Sequence, residues 1–132
     1  MDFTVFICEQ LDELKTQFLE KHKQYSNGDP LANFRVGALL NGRGDNYAAM
    51  YEEAKAYAAK HIAHVYAHDI DGVKVDESLK DIAIYSVIAL FLVEASKQER
   101  EAYRNSNVDT EICLQNLERR LLKGVKEVKS NE

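Results

Sequence analysis

Leu11, Leu14, Phe18 and Leu19 recur at helical spacing with Glu13, Glu20 and Lys21 between them, and predict a first helix over about residues 9–25. Ser26-Asn27-Gly28-Asp29-Pro30 stops it: Asn27-Gly28 suits a turn, and Pro30 is expected at the first position of the next helix. That second helix covers about 31–40, and 41–45 is a loop. Ala48, Ala54, Ala58 and Ala59, all strong helix formers, predict a third helix over about 47–68, ended by Asp69-Ile70-Asp71-Gly72. A fourth runs from about 76 to 102, with Asp76 and Glu77 placing negative charge at its positive end. Along it Ile82, Ala83, Ser86, Ala89, Leu90 and Val93 form one stripe, and Ile84, Val87, Ile88, Phe91 and Leu92 fill most of the rest. A helix apolar nearly all round is expected to be buried on most sides, so this one is placed at the bundle centre. A fifth, about 109–128, carries Ile112, Leu114, Leu117, Leu121, Leu122 and Val125 and either closes the core or pairs with another subunit.

Breakers are rare between these segments. Pro30 stands alone, and glycine concentrates between Gly28 and Gly44, which favours helices over strands. No internal repeat is visible. The pattern predicts an all-α fold, a four- to five-helix bundle with a buried central helix, in a single helical domain over 1–132.

Composition narrows what such a bundle does. With 132 residues, 45% hydrophobic and 30% charged, the chain suits one ordinary globular core. A net charge of -5 disfavours nonspecific binding to nucleic acid, which needs a surplus of lysine and arginine. Arg119, Arg120, Lys123, Lys126 and Lys129 cluster near the C-terminus, and a solvated helix face is the plainer explanation. Cys8 and Cys113 lie far apart in no ligand motif. The opening Met-Asp-Phe-Thr-Val-Phe-Ile-Cys-Glu-Gln is acidic and its apolar run too short for a signal peptide. The strongest apolar stretch, 82–93, is shorter than the roughly 20 residues of a bilayer span. Free thiols, a cytoplasmic location and no membrane partner are the expectations.

Asp81 is the position richest in chemical information. It enters the apolar run with Glu77 one turn before and Tyr85 one turn after, on one face. A carboxylate there must be paired, hydrogen-bonded or metal-bound, because an isolated buried charge is very costly. A ligand site and an ion pair with a lysine of another helix, such as Lys60, both satisfy that need. On the third helix Tyr57, His61, His64 and His68 line one stripe; a transition-metal site is conceivable there, but a polar stripe facing solvent or a cleft is the simpler alternative. Lys60 and His64 share a neighbouring edge suited to a phosphate. In 21–34, Tyr25 can stack on a base or pack the loop, Lys21 or Lys23 can meet phosphate, and Asp29 and Asn33 can cap the second helix. The glycines match neither a P-loop nor a dinucleotide fingerprint, and no nucleophile–histidine–acid order stands out despite Ser78 and Ser86.

Three segments taken together carry a resemblance. Residues 21–34, KHKQYSNGDPLANF, have a lysine, a tyrosine four residues on, a glycine turn and then D-P-x-x-N-F. Residues 48–66, AAMYEEAKAYAAKHIAHVY, follow as a long helix, and 76–90, DESLKDIAIYSVIAL, as a D-S-L-x-D-I-A-G-Y-like helix. Order and spacing resemble small phage and bacterial proteins related to the all-α NTP pyrophosphohydrolases, the MazG-like superfamily, over about 21–90 of a core reaching about 105. The last forty or so residues have no counterpart in it.

The resemblance points to Tyr25, Asp29, Asn33, Lys60, Glu77, Asp81 and Tyr85; with His64 added from its edge beside Lys60 and Glu53 as a further acid, the expected nucleotide ligands are Tyr25, Asp29, Asn33, Lys60, His64 and Tyr85, and the expected Mg²⁺ ligands Glu53, Glu77 and Asp81. In catalytic members, acids on neighbouring helices hold magnesium so that water cleaves a triphosphate into monophosphate and pyrophosphate. This chain departs from that pattern. Glu52 and Glu53 are present but Ala56 takes the third acidic place, Ser78 stands three residues before Asp81 where a glutamate belongs, Ala63 or His64 replaces the arginine, and Ile84 the glycine. Nucleotide binding is therefore better supported than catalysis. The alternatives are a non-catalytic phage-type protein that binds and inhibits a host defence protein, and a sponge for a signalling nucleotide. Because superfamily members commonly pair helices between subunits, a homo-oligomer is also implied.

Overall fold

The computed structural model describes residues 1–25 and 28–130, and the side chains of these except 22–25 and 130. Among the described residues there are four α-helices and no strand: α1 (Phe3–Tyr25), α2 (Ala32–Leu40), α3 (Tyr47–Tyr66) and α4 (Val75–Ser130). The fold is all-α, as the periodicity predicts. The chain divides into two units, Met1–Ala95 and Ser96–Glu132, so that α4 contributes to both.

Helix ends explain most differences from the predicted boundaries. The first helix begins at Phe3, not near residue 9, because Asp2 Oδ1 accepts the Val5 N–H at 3.0 Å and supplies the missing cap. Pro30 does not open α2. Asp29 Oδ1 accepts the Leu31 N–H at 3.0 Å and its carbonyl accepts the Ala32 N–H at 3.2 Å, closing a turn that holds Pro30 outside the helix. Leu31 is the N-cap residue and has no side-chain cap, so Asp29 and Asn33 do not cap α2 in the expected way. Asn46 caps α3 by accepting the Ala49 N–H at 2.7 Å. The loop between α2 and α3 turns through Gly42 and Gly44, both in the left-handed region at φ 69° and 108°.

The expected fourth and fifth helices are one. Asn105, Ser106 and Asn107 read as a break, yet they include neither glycine nor proline, and Thr110 Oγ1 donates to the Ser106 carbonyl at 2.9 Å within the helix.

The core of the first unit joins Phe34 of α2, Met50 and Ala54 of α3 and Leu92 of α4, with Leu31, Tyr47, Tyr51, Tyr57, Tyr85 and Ile88 around them. Lys80 Nζ approaches Glu13 Oε1 of α1 at 4.0 Å. The run 82–93 is not buried on most sides of the chain. Leu92 is fully buried, whereas Val87, Leu90 and Phe91 are 55–66% exposed, so α4 offers the core one face and leaves the other apolar positions open. Cys8 and Cys113 are free and exposed. Among the described residues no helix is long and apolar enough to cross a membrane.

Candidate functional site

α3 and the first turns of α4 enclose an open cleft of about 300 Å³ within the first unit, lined by Lys60, His61, His64, Lys74, Glu77, Ser78 and Asp81. Helical spacing presents Lys60, His61 and His64 from α3 and Glu77, Ser78 and Asp81 from α4. The turn 67–74 brings the two sets together. His64 Nε2 lies 2.7 Å from the Val73 carbonyl and His68 Nδ1 2.7 Å from the His64 carbonyl, so both rings tie the end of α3 to this turn. Their centroids are 4.1 Å apart. The histidine stripe is thus largely structural, and its rings do not gather around a common metal position.

Asp81 sits at the edge of the cleft with its side chain 37% exposed. Its neighbour is His61, with Nδ1 3.5 Å from Oδ2, and not Lys60. The His61 ring stacks on Tyr85 at 5.8 Å and 26°. Tyr85 in turn meets the edges of Phe34 and Tyr57 at 6.3 and 6.1 Å. An aromatic chain therefore runs from the core to the cleft wall and fixes where Asp81's partner stands. Tyr85 supports the site through His61 and is not among the lining residues.

Burial first, and the nearby Asp81 charge second, raise the Tyr85 pKa above its ordinary 10.0. Burial, and then Glu53, do the same for Tyr57. Both phenols thus hold their protons to higher pH when folded. The stability tied to this is complete below pH 10 and falls as pH rises through the folded values. Tyr57→Phe/Tyr85→Phe should flatten the alkaline decline seen in urea unfolding at stepped pH; an unchanged slope would contradict this assignment.

Glu53 belongs to a different constellation. It is 1% exposed. Asn41 Nδ2 donates to both its oxygens at 2.8 and 3.0 Å, and Arg43 Nε pairs with it at 3.1 Å. Being eight residues before His61 on α3, it lies about 12 Å away along the axis at 1.5 Å per residue. The expected set of Glu53, Glu77 and Asp81 is therefore not assembled. Among the described residues no three histidine, cysteine, aspartate or glutamate side chains are placed to hold a metal ion. Gly37 makes room for this network: a Cβ there would strike the Tyr57 hydroxyl and stand 2.8 Å from Glu53 Oε1. Gly37→Ala should accordingly cost about 1–3 kcal/mol of stability, measurable by urea unfolding. A loss near zero would mean that α2 and α3 can separate freely at this point.

The remaining expected ligands lie apart from the cleft lining. Arg35 binds Asp29 at 3.1 Å and Asp45 at 3.0 Å. The Leu31 N–H and then Arg35 hold the Asp29 carboxyl below its ordinary pKa. Asn33 contributes its carbonyl, which accepts from the Tyr57 hydroxyl at 3.3 Å, and its side chain is exposed. The Tyr25 side chain falls outside the described residues. Lys74 and Ser78 enter the cleft without having been expected there. The only hint at Lys74 was Gly72 two residues earlier, marking a turn whose path the spacing does not give; Lys74 itself takes a left-handed φ of 60°. Comparison with protein-family models, with curated proteins and with solved structures finds no match.

Proposed function

We propose that the chain binds a nucleotide or a nucleotide-derived phosphate in the cleft between α3 and the start of α4. One observation carries this: Lys60 and His64 of α3 and Glu77 and Asp81 of α4, singled out on separate helices by spacing and resemblance, line a single open cleft. The lining is mixed, which suits a nucleotide better than a bare anion. Lys60 and Lys74 supply cations for phosphate oxygens, and the first turn of α4 adds the positive end of a helix. Glu77 and Asp81 oppose an unaccompanied anion, but as carboxylates they accept hydrogen bonds from ribose hydroxyls or base amino groups. His61, stacked on Tyr85, keeps Asp81 oriented while leaving it partly exposed.

The activity proposed for the cleft is binding alone. Magnesium-dependent pyrophosphohydrolysis, as the resemblance implies it, calls on Glu53, and that carboxylate is committed to Asn41 and Arg43. Calorimetric titration of the ribo- and deoxynucleoside triphosphates, in magnesium and in EDTA, should give saturable binding for at least one, and in both buffers. Recovery of intact ligand after denaturation separates storage from hydrolysis. Silence across the whole panel would defeat the proposal.

A further inference from the structure

Beyond residue 96, α4 carries an apolar stripe that its own chain leaves uncovered. Every described side chain from 97 to 129 is exposed, and Leu114, Leu117, Leu121, Val125 and Val128 are 52–63% exposed. They recur every three or four residues, on one helical face. Helices gain most of their stability from packing such a face, so a stripe of this length requires a covering surface. Leu121, Gly124, Val125 and Val128 stand at i, i+3, i+4 and i+7, the four positions that frame a hole for a side chain of a facing helix. An open recess lies there, and a Cβ built on Gly124 meets nothing within 4 Å.

Charge selects the occupant. From 105 to 118 the charged residues are Asp109, Glu111 and Glu118. From 119 to 129 they are Arg119, Arg120, Lys123, Lys126 and Lys129, with Glu127 among them. A parallel pair would set like segments side by side, whereas an antiparallel pair sets each acidic segment along a basic one. We propose that this part of α4 pairs antiparallel with the same helix of a second copy. In the register where Leu114 enters the hole around the partner's Gly124, Glu111 and the partner's Lys129 lie on the same flank of the stripe at nearly the same height. This pairing does not depend on the nucleotide site.

Cross-linking of the full chain tests it. In Cys8→Ser/Gly124→Cys, mild oxidation should link native Cys113 to position 124 of the other copy and give a covalent dimer. Cys8→Ser alone should stay unlinked, because antiparallel Cys113 residues lie about 18 Å apart along the axis, and a disulfide needs Cα atoms within roughly 7 Å. Glu111→Lys, which acts twice in a symmetric pair, should weaken the dimer about tenfold in sedimentation equilibrium, and adding Lys129→Glu should restore it. A wild-type monomer at about 100 µM would overturn the proposal and leave the stripe to an unlike protein. Self-linking through Cys113, or charge reversal without effect, would overturn it as well.

Discussion

Arg43→Met should melt roughly 10 °C below the wild-type chain, from a loss of about 3 kcal/mol. Methionine keeps the apolar stem of Arg43 and removes only its guanidinium. What remains is a carboxylate, 1% exposed, with only uncharged partners, the amide of Asn41 and the hydroxyl of Tyr57. The loss comes mainly from that uncompensated charge and less from the ion pair itself, since the Arg43 side chain is 38% exposed and partly screened by water. A second substitution separates the two contributions. In Arg43→Met/Glu53→Gln the charge is gone while the Asn41 contact can persist, so the double variant should be more stable than Arg43→Met alone. Circular dichroism melts of the four chains in the cycle give the coupling. A shift of only two or three degrees for Arg43→Met would mean that Glu53 does not depend on its cation.

The second large effect is on binding. Lys60→Glu should weaken nucleotide affinity about 10- to 100-fold, because a charge-assisted hydrogen bond worth about 1.5–3 kcal/mol is replaced by repulsion. The fold should be unaffected, since Lys60 is exposed on α3. Lys55→Glu is the matched control. It lies on the same helix and also carries an amine, but is paired with Glu52 at 2.9 Å and does not line the cleft. Reversal there should change affinity by less than about twofold beyond ordinary screened electrostatics. Equal losses at the two lysines would indicate a general field effect and no localised phosphate position.

The helices were legible because their faces repeat at 3.6 residues, and the errors fall where local chemistry overrides composition. The start of α1 at Phe3 stays hidden until Asp2 is recognised as the cap. Asn105-Ser106-Asn107 looks like a turn, but a helix continues through polar residues that retain their backbone N–H groups. Half of the cleft was legible for the same reason: i, i+4 spacing puts Lys60 with His64 and Glu77 with Asp81. Periodicity reports the direction of a side chain and not its depth or its partner. It therefore could not show that Glu53 turns inward to Asn41 and Arg43, on a loop shaped by left-handed Gly42 and Gly44. Nor could it show that the turn 67–74 delivers Lys74, or that the partner of Asp81 is His61 instead of Lys60. The buried central helix was overestimated because an apolar run shows what must be covered, without showing that the same chain covers it.

The cleft itself is tested most directly by nuclear magnetic resonance of the histidine rings during titration with a nucleoside triphosphate. The imidazole signals of His61 and His64 should move along saturable curves with one common dissociation constant, and Lys60→Glu should flatten both. Signals that stay fixed at millimolar nucleotide, or shifts confined to residues outside the cleft, would contradict a phosphate-binding site between α3 and α4.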